Sequence, residues 1–176
     1  ELPDLIKCLP AHPTFDSPEF SNDLVRYALG VGQRHDSLRV VQAKKGEARN
    51  FDSLLVTFQE AFGMEINKKQ TPELRLLMHR SLSTINTMRD APKNYYHRLR
   101  PYEYLDVSTL TGEEEVLRGN GSYPSGHTMR GWLTALILAE INPERATEIY
   151  IRGLNYGQSR VIAGVHWQSD VDAGYM

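Results

Sequence analysis

The chain has 176 residues, of which 40% are hydrophobic and 24% are charged, and its formal net charge is −2. That length and composition suit one folded domain with a buried core. The small net charge gives no general electrostatic reason to bind nucleic acid or an anionic membrane, so we expect neither partner. The longest apolar run, residues 131–141, is too short to span a bilayer and predicts a buried helix.

Taken in chain order, the sequence predicts helices joined by loops. Residues 1–18 contain four prolines, which predict an extended N-terminal segment. Helical patterns follow over residues 17–35, 48–63 and 71–99, the last containing a helix-breaking Pro92. The acidic run 113–115 is interpreted as solvated surface, and a further helix is predicted from about Ser125 to Ile141, with another starting at Pro143. No stretch alternates with period two, so the sequence predicts one all-α domain, 1–176, of about six to eight helices.

Two short stretches place cations and a tight loop where an anion could bind. In "KNYYHRLRP", Lys93 and Arg100 are seven residues apart, almost two helical turns, so one face could carry both, but Pro101 disfavours helix at Arg100. In "GSYPSGHT", a tight glycine-containing loop places Ser125, Gly126 and His127 at the start of a helix. The unpaired backbone N–H groups at a helix start can bind an anion. Each stretch alone also has an ordinary structural interpretation: solvated cations, a helix cap or a buried histidine.

The third stretch, "SRVIAGVHWQSD", contains Arg160, His166 and Asp170. A spacing of four on a helix would let the Asp170 carboxylate hold one ring nitrogen of His166 and leave the other unprotonated. Such a pair is more often a helix hydrogen bond than a catalytic dyad. Taken together, however, the three stretches supply three cations, a Ser-Gly loop and two histidines, an inventory that suits a phosphate group.

The same residues resemble a known family. "Lys93-x6-Arg100-Pro101", "Pro124-Ser125-Gly126-His127" and "Ser159-Arg160-x5-His166-x3-Asp170" match in order the three-part signature of the type 2 phosphatidic acid phosphatase superfamily, with 22 and 31 residues between the parts. That superfamily includes the vanadium haloperoxidases. Within it, the residues in and around the motifs are most similar to those of the bacterial class A nonspecific acid phosphatases. The resemblance implies a compact, bundle-like helical domain.

The resemblance also implies roles for these residues. His166 would be the nucleophile that forms a phosphohistidine, Asp170 would orient it, and His127 would be the general acid and then the general base. The phosphoryl oxygens would be held by the remaining signature residues, Lys93, Arg100, Ser125, Gly126 and Arg160. No metal and no cofactor are expected, because three fixed cations can stabilise the charge on the oxygens.

The expected activity is therefore metal-independent hydrolysis of small phosphomonoesters over a broad substrate range, blocked by vanadate, with phosphotransferase activity as an extension. The alternatives are a vanadium-dependent haloperoxidase, in which His166 would ligate vanadium, and a non-catalytic phosphate-binding domain. The resemblance further implies a periplasmic location after removal of a signal peptide, and it is compatible with a homo-oligomer. Family members usually continue through another helix, so the C-terminal helix of the family is expected to be missing after Met176.

Overall fold

The computed structural model describes residues 2–46 and 50–176. Within those ranges all regular secondary structure is helical, which confirms the predicted all-α class. The α-helices are α1 (Leu5–Cys8), α2 (Phe20–Gly32), α3 (Ser37–Lys45), α4 (Phe51–Val56), α5 (Gln59–Phe62), α6 (Pro72–Tyr96), α7 (Pro101–Leu105), α8 (Glu114–Leu117), α9 (Gly126–Ile141), α10 (Ala146–Ala163) and α11 (Gln168–Tyr175), with 3-10 turns at Gln33–His35 and Pro143–Arg145.

The helices are more numerous than the six to eight predicted, because several are short. In the described part of the chain, six of them have eight or more residues, and the other five are one or two turns long. One short helix, α1, interrupts the N-terminal segment that was predicted to be extended, since the Asp4 carboxylate accepts the N–H of Ile6 at 3.1 Å and caps a single turn. The predicted helix 48–63 is two helices, α4 and α5, and residues 47–49 lie outside the described residues.

The core is built on the pairing of α9 with α10. Only residues 142–145 connect these two helices, so they form a hairpin. Gly153 permits their close approach, because a Cβ at that position would lie 2.6 Å from the Cβ of Ala135. Around this hairpin, α6 packs on α9 and α2 and α3 pack on α10. The main apolar cluster contains Leu138 and Ile149 from the hairpin.

The helices next to the hairpin determine where polar groups collect. α6 does not break at Pro92 but continues to Tyr96, so Lys93 lies in its last turn. α11 packs against α2, α9 and α10, near the start of α9 and the end of α10. Of the helices in the described ranges, none combines the length and the apolar character that crossing a bilayer requires.

Candidate active site

The three sequence motifs meet at the open end of the α9–α10 hairpin, around a cavity of about 340 Å³. Six of the eight predicted site residues line it: Lys93, Arg100, Gly126, His127, Arg160 and His166. The other two, Ser125 and Asp170, are fully buried behind the wall. The structure therefore brings together residues from α6, α9, α10 and the links beside α7 and α11.

His166 lies in the turn between α10 and α11. Gly164 ends α10 with a φ of 81°, a left-handed conformation that suits glycine, and reverses the chain. Nδ1 of His166 lies 3.2 Å from Oδ2 of Asp170, so the predicted pair is present. The prediction that one helix carries both residues is wrong, since His166 precedes α11. The pair forms because Asp170 is the third residue of α11, where its carboxylate also accepts the N–H of Trp167 at 2.9 Å.

The surroundings of His166 keep its ring neutral and oriented. The hydrogen bond to Asp170 assigns the ring proton to Nδ1, so Nε2 is unprotonated and presents its lone pair towards Arg100. Nη1 of Arg100 lies 3.3 Å from Nε2. Burial, and then the charge of Arg100, lower the pKa of His166 well below its ordinary value. A neutral imidazole with one oriented lone pair is suited to act as a nucleophile.

Asp170 is held by a buried ion-pair network that the sequence did not suggest. Arg98 donates from Nη1 to Oδ1 of Asp170 at 2.6 Å and from Nη2 to Oδ2 of Asp23 at 2.8 Å. Asp23, on α2, also accepts the N–H of Ser169 at 2.8 Å and its hydroxyl at 2.6 Å. Burial tends to raise the pKa of Asp170, but the hydrogen bond from His166 and the charge of Arg98 together lower it below the ordinary value. Asp170 therefore stays ionised.

Lys93 and Arg100 are buried cations whose donors point to backbone oxygens and to the cavity. Nζ of Lys93 donates to the carbonyl of Gly121 at 2.6 Å, and Nη1 of Arg100 donates to that of Val165 at 2.8 Å. The two residues do not share a helical face, because Arg100 is extended and precedes α7, as expected from the effect of Pro101 on the residue before it. Burial, and then Arg100, lower the pKa of Lys93. Both side chains are therefore desolvated at the wall of the cavity.

Arg160 has buried hydrogen-bond donors that no group of the described residues satisfies. Nη2 donates to Oε2 of Glu113 at 2.7 Å, whereas Nε and Nη1 have no hydrogen-bond partner within residues 2–46 and 50–176. Arg160 is 1% exposed and lines the cavity. Glu113 is itself buried at 3% exposure, so its interpretation as solvated surface is wrong. Unsatisfied buried donors are costly, so an acceptor is expected to bind beside Arg160.

The start of α9 contributes a cap, a glycine and a histidine. The Ser125 hydroxyl accepts the N–H of Thr128 at 3.3 Å and its hydroxyl at 2.9 Å, so this side chain acts as the helix cap. The Ser125 N–H donates to the Asp170 carbonyl at 2.9 Å and ties α9 to α11. Gly126 lies beneath Arg89, whose Cδ would collide with any Cβ there. His127 is half-buried on the cavity wall.

Several functional neighbours were missed by sequence reasoning. Arg89 and Arg130 line the cavity beside the predicted residues, and Arg98, Asp23 and Glu113 lie behind it. Two of these residues could have been found from helical spacing, because residues three or four apart share a helix face. Arg130 follows His127 by three residues on α9, and Arg89 precedes Lys93 by four residues on α6. Asp23 had no signal in the local sequence, because it reaches Arg98 and Ser169 through tertiary contacts.

Two further searches of the described residues bear on ligands. Across residues 2–46 and 50–176, no three His, Cys, Asp or Glu side chains form a group that could hold a metal ion. A larger cavity of about 760 Å³ lies between α4 and α10, with Asp52 and Arg152 among its lining. Its lining includes none of the signature residues, so the smaller cavity is the candidate site.

The all-helical fold places buried Lys93, Arg100 and Arg160 and a histidine whose pKa is lowered by burial around one cavity, an arrangement that suits an anionic ligand. The sequence profile of the PAP2 superfamily matches residues 77–176. The chain belongs to that superfamily, which confirms the resemblance seen in the three motifs.

Curated relatives extend the similarity along almost the whole chain. A protein from Providencia stuartii named non-specific acid phosphatase is 41% identical over 172 residues, covering 97% of this chain and 69% of that protein. One of the same name from Salmonella typhimurium is 43% identical over 168 residues, covering 94% of this chain and 67% of that protein. An acid phosphatase from Zymomonas mobilis is 38% identical over 165 residues, with 93% and 62% covered.

A solved structure shares the fold. A transmembrane phosphatidylglycerolphosphate phosphatase of the PAP2 type from Bacillus subtilis superposes with a TM-score of 0.61, covering 91% of this chain and 81% of that one. Its sequence identity is 24%, so the likeness concerns the fold alone. The common helical framework agrees with the bundle-like architecture that the motifs implied.

Proposed function

We propose that this protein is an acid phosphatase that hydrolyses small phosphomonoesters through a phosphohistidine, without a metal ion. The observation that carries the proposal is the state of Arg160, whose buried Nε and Nη1 lack partners while its guanidinium lines a cavity shared with Lys93, Arg100 and His166. A phosphoryl group supplies oxygen acceptors and negative charge at that position. Relatives named acid phosphatases support the same chemistry.

Electrostatics favour a dianionic group in this cavity. Lys93, Arg100 and Arg160 are each at least 94% buried, since their exposures are 6%, 1% and 1%. Desolvation lowers the pKa of both Lys93 and Arg100, the latter to about 10, which still leaves the guanidinium charged. Arg160 is partly neutralised by Glu113, whereas no carboxylate among the described residues lines the cavity itself. Three fixed cations could take the role that Mg²⁺ has in other phosphoryl-transfer sites.

The geometry supports a two-step reaction. In the first step, Nε2 of His166 attacks phosphorus, the bond to the ester oxygen breaks, and that oxygen takes a proton from His127. Positive charge develops on the His166 ring, and the Asp170 carboxylate stabilises it through the Nδ1 proton. In the second step, water gives a proton to His127 and its oxygen attacks phosphorus, releasing phosphate and restoring neutral His166. An alcohol in place of water would give phosphotransferase activity.

An acidic pH optimum follows from the two histidine roles. The attacking His166 must be neutral, and its lowered pKa keeps it so in mild acid. His127 must be protonated to donate to the leaving oxygen, a condition that is lost as the pH rises. A pH–rate profile that rises steadily from about pH 5 to about pH 9 would contradict this assignment.

The test is hydrolysis of p-nitrophenyl phosphate at about pH 6 in excess EDTA, with and without vanadate. We expect turnover that vanadate blocks and that His166→Ala abolishes. His79→Ala is the matched control, because His79 is exposed on α6, its ring contacts that of Phe51, and it does not line the cavity. Peroxide-dependent halide oxidation with added vanadate would indicate a haloperoxidase, and phosphate binding without turnover would indicate a binding domain.

We also propose a periplasmic location and possible self-association, both resting on the resemblance to class A acid phosphatases. Osmotic-shock fractionation of a bacterial host tests the first. Size-exclusion chromatography with light scattering tests the second.

A further inference from the structure

A buried carboxylate lies behind the phosphate cavity and has no part in the reaction described above. Glu113 is 3% exposed, immediately precedes α8, and accepts on Oε2 from Nη2 of Arg160 at 2.7 Å. Arg160 lines the cavity, whereas Glu113 does not. A negative charge at this place weakens the attraction of a phosphoryl group, so charge alone does not explain why Glu113 lies there.

The loop before α8 holds this carboxylate in place. The Thr111 hydroxyl donates to the same Oε2 of Glu113 at 2.6 Å. The N–H of Leu110 donates to the carbonyl of Ala163 at 2.9 Å, and Ala163 is the last residue of α10. Because α10 also carries Arg160, these bonds fix the carboxylate relative to the helix of the arginine that it contacts.

Arg160 lies close to another cation, so its orientation needs a restraint. Burial, together with the charge of Arg160, lowers the pKa of Arg100 to about 10, which indicates that the two guanidiniums repel one another. An arginine side chain has several rotatable bonds, so an unanchored guanidinium would turn away from such a neighbour. Because the group is rigid and planar, a carboxylate that holds Nη2 also limits the directions of Nε and Nη1. Those two nitrogens have no hydrogen-bond partner in the described part of the chain, so they are the donors that remain for a ligand.

From these contacts we infer that Glu113 is a positioning residue of the phosphate site, which holds Nη2 of Arg160 and so directs Nε and Nη1 to the phosphoryl oxygens. The inference rests on the proposed function and adds to it a residue that touches no substrate. Oε2 accepts from both Arg160 and Thr111, so a single oxygen atom makes both contacts. What Arg160 requires is therefore an oxygen at a fixed position, which a glutamine at position 113 also supplies.

Orthophosphate binding tests this role without requiring turnover. Calorimetry at about pH 6 in excess EDTA compares Glu113→Ala, which removes the acceptor, with Glu113→Gln, which keeps an oxygen and removes the charge. We expect Kd to rise about tenfold in Glu113→Ala and to stay within about threefold of the unmodified protein, or to decrease, in Glu113→Gln. The matched controls are Glu115→Ala and Glu115→Gln, which should leave Kd unchanged. Glu115 is 84% exposed, pairs with exposed Arg118, and does not line the cavity.

Hydrolysis of p-nitrophenyl phosphate by the same variants gives a second readout. A misdirected Arg160 loses contacts to the phosphoryl oxygens in the transition state as well as in the bound substrate. We therefore expect kcat/KM to fall by about thirtyfold or more in Glu113→Ala and by less than about threefold in Glu113→Gln. Circular dichroism of each variant shows whether it has folded. Recovery of activity by glutamine distinguishes positioning from a general loss of stability, because both substitutions remove the buried negative charge.

Unchanged orthophosphate affinity in Glu113→Ala would overturn the inference, and so would equal losses in Glu113→Ala and Glu113→Gln, since the charge would then be responsible. Either result leaves the proposed function intact if the unmodified protein hydrolyses p-nitrophenyl phosphate. Binding of orthophosphate by the unmodified protein without turnover would contradict the proposed function alone. If Glu113→Ala does not fold, Thr111→Val removes the second donor to Oε2 from a partly exposed position and should raise Kd about threefold. An unchanged Kd in Thr111→Val would then overturn the inference.

Discussion

Replacing Asp23 by asparagine tests whether the ion-pair network behind Asp170 positions the nucleophile. Asp23 is 1% exposed and accepts three hydrogen bonds, one from Arg98 and two from Ser169. The amide removes the charge that balances Arg98, and its NH2 group cannot accept from the guanidinium. Removing one partner of a buried ion pair typically costs about 3–5 kcal/mol, because the other charge remains buried.

The same substitution should change catalysis selectively. With Asp23 neutral, Asp170 is the remaining carboxylate that Arg98 contacts among the described residues. The amide keeps one oxygen, so it cannot accept from Arg98 and from both donors of Ser169 as Asp23 does. Asp170 then holds the His166 ring less rigidly. We expect kcat for p-nitrophenyl phosphate to fall about tenfold or more with KM little changed, since Asp23 does not line the phosphate cavity.

Urea unfolding and steady-state kinetics on the same preparation measure both effects. The matched control is Glu115→Gln, which breaks the pair with Arg118 at 2.9 Å, where the glutamate and arginine side chains are 84% and 61% exposed. An exposed pair contributes little to stability, so the control should lose little stability and no activity. A loss below about 1 kcal/mol in Asp23→Asn, together with unchanged kcat, would refute the positioning role.

Two further predictions concern pH and packing. Because the pKa of His166 is lowered in the folded state, the unfolded chain takes up a proton below about pH 6.5 that folded His166 does not. The free energy of unfolding should therefore decrease as the pH falls from about 7 to about 5, and less so in His166→Ala; identical slopes in urea titrations would contradict the assignment. Gly153→Ala should destabilise the protein by about 1–3 kcal/mol, since its Cβ would press on Ala135, whereas a Cβ at Gly32 meets nothing within 4 Å. Thermal melts of Gly153→Ala and Gly32→Ala measure this loss of stability. Equal melting temperatures would contradict the prediction and show that α9 and α10 can move apart to accommodate the added Cβ.

The motifs predicted the chemistry of the cavity more reliably than its geometry. His166 and Asp170 pair as expected, yet they do so across a helix start, because Gly164 reverses the chain before α11. Lys93 and Arg100 converge although Arg100 has left the helix. A short motif specifies which residue types must meet, but the backbone path between them depends on turns that local spacing does not determine.

The supporting residues could not be predicted because their contacts are tertiary. Glu113 stands in an acidic run with a solvated pattern, and only the folding of its loop places it against Arg160. Asp23 lies 146 positions from Ser169, and no periodicity links them. The positions where a helix begins and ends, in contrast, depend on local residue spacing and on capping residues. The helix predicted from about Ser125 to Ile141 therefore agrees with α9 within one residue.

The contact between Asp23 and Ser169 has a consequence for biosynthesis. Its two ends are 146 residues apart, so it is among the last to become available as the chain emerges from the ribosome. Contacts of such long separation also form late in folding, after local helices and the hairpin. His166, the proposed nucleophile, therefore has its complete support only when nearly all of the described chain has been made.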